Sequence, residues 1–214
     1  MPTISTSYGD VCRLLKKKIP MDELRDRLLF LGIEVEVEGE EIKLEVAHNR
    51  PDLLSVEGVV RALKGFLGLE TGLPLYSVKK GRLEVVVDPS TRRIRPYIAC
   101  GVVREVKLDT QAIASLMQTQ EKLHLSYCRN RKKASIGVYD LDTIKGPIHY
   151  TTVGPQQLKF VPLEFSRELT PAQILQEHPK GIEYAHLLEG FDRYPVLVDA
   201  AGTVLSMPPI VNSE

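Results

Sequence analysis

The chain has 214 residues, 28 Lys and Arg against 28 Asp and Glu, and 43% hydrophobic residues. That length supports one large or two small domains with a real core, and no apolar run approaches the roughly 20 residues of a membrane span. Zero net charge excludes a protein that binds RNA over its whole surface, so any RNA contact is local.

The start of the chain lacks a signal-peptide pattern. Cys12, Cys100 and Cys128 are odd in number and far apart, which argues for reduced thiols in a cytosol and against a disulfide framework or zinc knuckle. Residues 10–17 and 21–31 read as helices; in the second, Leu24, Leu28 and Leu31 share a face and Gly32 stops it. Residues 33–38 alternate apolar and acidic side chains, Gly39-Glu40 turns, and Ile42, Leu44 and Val46 continue the alternation. The run His48-Asn49-Arg50-Pro51-Asp52 follows. Pro51 fixes its own φ and pushes Arg50 out of the α region, which places Asp52 as a cap for the next helix. Leu53, Val56, Val59, Val60 and Leu63 form the apolar face of that helix, which runs to about residue 69. A helix start does not need Asn49 and Arg50. Hydrogen bonds to backbone within the module would account for them, or an Arg fork on another subunit's carboxylate. Residues 1–80 therefore read as a small helix–helix–hairpin–helix module, with 72–81 as linker.

Residues 81–214 read as a larger mixed α/β module, which makes the chain α+β overall. Strands are expected at 83–87, 98–106, 135–139 and 148–152. Residues 110–127 predict a helix with an apolar stripe of Ile113, Leu116, Met117, Leu123 and Tyr127, and His124 beside it is expected to be partly buried. Asp140 and Asp142 read as caps of backbone groups at a strand end, not as a catalytic pair. A short helix is expected at 171–178, capped by Thr170 with Pro171 at its first position, and a hairpin at 196–198 and 204–206. The segment Leu205-Ser206-Met207-Pro208-Pro209-Ile210-Val211-Asn212-Ser213-Glu214 is irregular yet apolar. Its prolines read as a rigid turn, and its buried backbone groups need partners; such segments often line pockets. The histidines show no metal-like spacing and no Gly-rich phosphate loop occurs, so no metal, ATP site or other cofactor is expected in this chain. Basic clusters stand at 13–18, 92–95 and 129–133. Of these, Arg129, Arg131, Lys132 and Lys133 are candidate RNA phosphate contacts, with a solvated basic turn as the alternative.

Taken in order, six pieces resemble the N-terminal half of the archaeal-type phenylalanyl-tRNA synthetase β subunit. They are residues 48–58, 118–123, 129–133, 136–142, 180–188 and 205–214, and the likeness covers nearly the whole chain. The resemblance implies a first module followed by an editing module that hydrolyses tyrosine wrongly attached to phenylalanine tRNA, in a cytoplasmic enzyme. It implies an α subunit, the remaining β modules and tRNA as partners, with no membrane. It also implies that ATP and Mg²⁺ serve the parent enzyme, at a site on the α subunit. Such a module is needed because a pocket shaped for phenylalanine rejects an added hydroxyl by only about 10²-fold. The likeness points to Leu205, Met207 and Pro208 as pocket wall and to Ser213 and Glu214 as polar pocket residues. Asn212-Ser213-Glu214 stands where bacterial relatives carry Gly-Gly-Glu, whose glutamate helps recognise tyrosine. Gly137 stands where they carry a pocket histidine, so no catalytic residue is assigned; His186, in a matching segment, is a weaker candidate. In the family further strands follow Glu214, so the chain reads as a fragment or a truncated paralogue. A stand-alone hydrolase acting in trans on mischarged tRNA and a non-catalytic tRNA- or subunit-binding module remain as alternatives.

Overall fold

The structure is a computed structural model that describes residues 2–214. The chain forms two compact units. The first comprises the described residues up to Ser77 together with Lys107–Ala134; the second comprises Val78–Val106 and Ser135–Glu214. The first change of unit falls at the expected linker. The helix expected at 110–127, however, returns to the first unit, so the break near residue 80 is not a single boundary.

In the first unit, β1 (Thr3–Ser7), β2 (Glu34–Glu38) and β3 (Glu41–Glu45) form an antiparallel sheet in the order β1-β3-β2. Alternation in β3 buries Ile42 and Leu44 and turns its charged residues outward. Those two side chains meet Ile4 of β1 and the apolar faces of α1 (Tyr8–Leu15), α2 (Met21–Phe30) and α3 (Val56–Phe66) in one core. Ser55, rather than the expected Asp52, caps α3, its Oγ accepting the Gly58 N–H at 3.0 Å. Asp52 is engaged elsewhere. Arg50 donates Nε to one carboxylate oxygen at 3.0 Å and Nη2 to the other at 2.8 Å, which explains the arginine as a local fork. Gly58 is required by close packing, because a Cβ there would lie 2.0 Å from the Asp52 carbonyl oxygen.

The helix α4 (Thr110–Leu125) joins this unit by a polar side. Ser115 Oγ donates to Glu57 Oε2 at 2.7 Å and Gln118 Nε2 to the Ser5 carbonyl at 3.3 Å. The predicted stripe is therefore not a buried face: Ile113, Leu116, Met117 and Tyr127 are exposed, and only Leu123 packs against the core. His124 is buried.

In the second unit, β4 (Val85–Val87), β5 (Ile148–Val153), β6 (Tyr194–Val198), β7 (Val204–Met207) and β8 (Val211–Asn212) form one sheet in sequence order. β4 runs parallel to β5 and the other pairs are antiparallel. Residues 98–106 and 135–139, expected as strands, have no regular secondary structure. One apolar cluster joins Val196, Val204, Met207 and Val211 to Ile174 of α5 (Pro171–Glu177) and Tyr184 of α6 (Pro179–Tyr184). A second joins Ile148, Tyr150, Leu197 and Leu205 to Ile98, Tyr139 and Ile144. Thr170 caps α5, as the sequence suggested, and with Gln173 it forms a capping box. Gly181 lets α6 close on α5, since a Cβ there would lie 1.7 Å from the Ile174 carbonyl oxygen.

The hairpin turn between β6 and β7 is organised by Asp199, which is 3% exposed. Its carboxylate accepts backbone N–H bonds from Lys145 (3.0 Å), Ala201 (2.9 Å) and Thr203 (2.8 Å). Burial raises its pKa, but these donors outweigh burial and hold it below the usual aspartate value.

Candidate functional site

The site is created by a slip in register between β6 and β7. Val198 pairs with Val204 and Leu197 with Ser206, so Leu205 is the extra residue of a β-bulge. Two residues of β7 then oppose Leu197. The bulge places Leu205 and Ser206 on the sheet face that carries Leu197, Ile148 and Tyr150, and turns Met207 to the α5–α6 side. Without it, Leu205 and Met207 would share a face. The structure therefore separates two residues that the sequence set together as pocket wall: Met207 is fully buried in the helix-side cluster, and Leu205 lies on the opposite face.

Tyr139 lies on the Leu205 face. Its Oη donates to Ser206 Oγ at 2.7 Å and lies 3.4 Å from Asn212 Oδ1. Ser206 is 2% exposed, and Asn212 stands opposite it in the β7–β8 ladder. Burial pushes the Tyr139 hydroxyl above its ordinary pKa, the Ser206 bond pulls it down and nearby Cys100 raises it, so it is a neutral donor at pH 7. Gly137 lies beneath the same ring: a Cβ there would sit 2.4 Å from Tyr139 Oη and 2.8 Å from Cζ. Any side chain at 137 displaces Tyr139 from this position. Tyr139, Ser206 and Asn212 lay inside segments picked out in the sequence without being assigned a role. The available signal was Ser206, a polar residue within an apolar strand.

The irregular C-terminal segment is paired on both sides. Ser213 N–H donates to the Leu205 carbonyl at 2.9 Å, Leu163 N–H to the Asn212 carbonyl at 2.9 Å, and Glu214 N–H to the Val161 carbonyl at 3.0 Å. Pro208, half-buried, and buried Pro209 form the turn that the Ile210 N–H closes on the Met207 carbonyl at 2.8 Å. Ser213 is half-buried, its Oγ donating to the Glu214 carbonyl. Glu214 is exposed, and its carboxylate accepts the Glu164 N–H at 3.2 Å. His186 is exposed on a single turn, Ala185–Leu187, after α6, beside residues of the helix-side cluster.

The basic turn belongs to the first unit. Arg129, Asn130 and Arg131 are consecutive left-handed residues, with φ of 53°, 51° and 62°. This reversal leaves Arg129, Lys132 and Lys133 exposed, with the Lys133 ammonium 4.2 Å from the centre of the Tyr127 ring. Arg131 is turned in beside Glu121 and is 9% exposed. Two clefts of about 190 and 200 Å³ also lie in the first unit, one between β1 and α4 and one beside Lys64 and Glu70, and neither is lined by any of the expected pocket or phosphate-contact residues.

No protein-family model matches the chain. It is 45% identical over its full length to the phenylalanine–tRNA ligase β subunit of Methanosphaera stadtmanae and 47% identical to that of Thermofilum pendens. In each case it spans 38% of the relative's length. It also resembles the crystal structure of an N-terminal fragment of the phenylalanyl-tRNA synthetase β subunit from Pyrococcus horikoshii. The TM-score is 0.91 at 41% identity, covering 100% of this chain and 63% of that one.

Proposed function

The chain belongs to the phenylalanine–tRNA ligase β-subunit family in its archaeal form, and from that premise we propose that its second unit proofreads tyrosine wrongly joined to phenylalanine tRNA. The parent enzyme, cytoplasmic and built from this subunit and an α partner, attaches phenylalanine to that tRNA. The observation that carries the proofreading reading is the polar set Tyr139, Ser206 and Asn212 within an apolar sheet face. A pocket that selects tyrosine over phenylalanine needs this combination: apolar walls for the ring and hydrogen-bonding groups that phenylalanine leaves unpaired.

The bond to be cleaved is the ester between the aminoacyl group and the terminal ribose. With Gly137 at a position where bacterial relatives carry histidine, this unit works by holding the ester and a water in register, with help from the tRNA's own terminal hydroxyl. Leu205 supplies the apolar contact, and Ser213 and Glu214, at the paired end of the segment, supply polar contacts near the amino acid. Arg129, Lys132 and Lys133 contact tRNA phosphates. Among the described residues no three or more His, Cys, Asp or Glu side chains converge as metal ligands would. In this reading ATP and Mg²⁺ serve the activation of phenylalanine, at a site on the α subunit.

Exposure of Ile113 and Met117 favours a second reading, a non-catalytic module that binds tRNA or another subunit. Deacylation of Tyr-tRNA by the assembled enzyme separates the two readings. The Ser213→Ala, Glu214→Ala double variant should slow tyrosyl hydrolysis at least tenfold. An unchanged rate sinks that residue assignment, and no hydrolysis by the unmodified enzyme favours the binding module.

A further inference from the structure

We propose that Arg92, Arg93 and Tyr97 form a surface of the second unit that binds single-stranded RNA, with a base stacked on the Tyr97 ring and phosphates on the two guanidinium groups. The identity of that strand, the end of the tRNA that carries the ester, rests on the proofreading function above. Tyr97 is 93% exposed, so its ring stabilises no core. The side chains of Arg92, Arg93 and Tyr97 are all exposed and have no hydrogen bond, ion pair or ring contact among the described residues. Charge is divided unevenly along the second unit. Residues 78–106 hold seven Lys and Arg against three Asp and Glu, while residues 135–214 hold five against ten. In a chain with no net charge, that places the attraction for phosphate on the stretch that contains these three residues.

The surface is held in place without being buried. Pro89–Arg93 forms a short 3₁₀ turn, in which the Asp88 carboxylate accepts the Ser90 N–H at 2.8 Å and the Thr91 hydroxyl donates to the Asp88 carbonyl at 2.8 Å. Thr91 is fully buried. Its carbonyl accepts the Ile94 and Arg95 N–H groups, both at 3.0 Å, and Tyr150 Oη donates to the Arg95 carbonyl at 2.7 Å. Ile94 packs against the helix-side cluster, Ile98 packs against the opposite one, and Pro96 fixes its own φ. Tyr97 therefore stands outward beside anchored residues, and its backbone is set before a base arrives. An unpaired strand suits this arrangement because each of its bases offers a free face to stack, whereas the bases of a duplex are already stacked on one another. The arginines set the charge of the partner, and the free ring sets its single-stranded form.

The test is binding of a fluorescein-labelled, unpaired RNA of about ten nucleotides to the full chain, followed by anisotropy and compared with a duplex of the same length. The single strand should bind more tightly than the duplex. Tyr97→Ala removes one stacked base and should weaken binding about 5- to 150-fold, while Tyr97→Phe, which keeps the ring, should change it by less than about 2-fold. Arg92→Ala with Arg93→Ala removes two phosphate contacts and should lower the slope of log affinity against log salt by about 1.4. The three side chains are exposed and without partners, so melting temperatures should not move. Unchanged affinity in Tyr97→Ala, or a duplex bound as tightly as the single strand, overturns the surface. So does a chain that binds no RNA, which would leave Tyr97 to a protein partner. Deacylation of Tyr-tRNA by the assembled enzyme separates the surface from the proofreading function. A raised KM with unchanged kcat in Tyr97→Ala supports both. Unaltered RNA affinity beside intact deacylation overturns the surface alone. Weakened RNA affinity in an enzyme that hydrolyses neither ester upholds the surface and removes the proofreading function.

Discussion

Met207→Ala tests the placement of β7 on which the site depends. The bulge turns Met207 away from the Leu205 face and into the cluster with Ile174 and Tyr184, where it is 0% exposed. Truncating a fully buried Met to Ala removes its transfer free energy and leaves a cavity, which costs about 2–5 kcal/mol. At a urea m-value of about 2 kcal/mol/M, the midpoint of the affected transition falls by about 1–2.5 M. The chain has no Trp, so unfolding is followed by far-UV circular dichroism and tyrosine fluorescence. Because the chain has two units, the transition is assigned by measuring both signals. A loss below about 1 kcal/mol would mean that the Met207 side chain faces open space, as a substrate-pocket wall does, and would refute the bulge-based assignment of faces.

Gly181→Ala places a methyl group against the Ile174 carbonyl and should cost about 1–3 kcal/mol or more by wedging α6 from α5; an unchanged melting temperature would contradict the close packing. Asp199→Asn should destabilise the chain at neutral pH, because an amide cannot accept the three N–H bonds that the carboxylate accepts. The folded pKa of Asp199 is lowered, so its contribution is present above the ordinary aspartate value and lost as pH falls through the folded value. The stability gap between Asp199→Asn and the unmodified chain should therefore close in acid, and a gap independent of pH would contradict the assignment. Arg129→Ala with Lys132→Ala should reduce the slope of log affinity against log salt for phenylalanine tRNA by about 1–2. A solvated turn without phosphate contact leaves that slope unchanged.

Most of the first unit was legible in the sequence because its elements are marked by local signals. Helix periodicity around Leu24 and Val59, the Gly39-Glu40 turn and the Ile42–Leu44 alternation each point to one structure. β1 was not anticipated: a five-residue strand with a single buried residue, Ile4, gives too little pattern. At residues 98–106 and 135–139 the sequence misled, because alternation shows that a segment fits a sheet but does not supply the neighbouring strand. The helix over α4 was recognisable, but not which side of it would be held. Ser115 and Gln118 find partners in the first unit, and Ile113 and Met117 do not. At the candidate site, the sequence marked residues 205–214 but gave no sign of the bulge. A one-residue slip in register is decided by pairing between strands and reverses which side chains share a face. That slip separated Leu205 from Met207 and brought Ser206 to Tyr139.

The most direct measurement is the rate at which the enzyme assembled from the full β subunit carrying this sequence, with its α partner, deacylates Tyr-tRNA compared with Phe-tRNA, both on phenylalanine tRNA. Proofreading by the second unit predicts that the tyrosyl ester is hydrolysed much faster than the phenylalanyl ester, and that Ser206→Ala narrows the difference. Equal rates for the two esters, or rates no higher than those without enzyme, would contradict it.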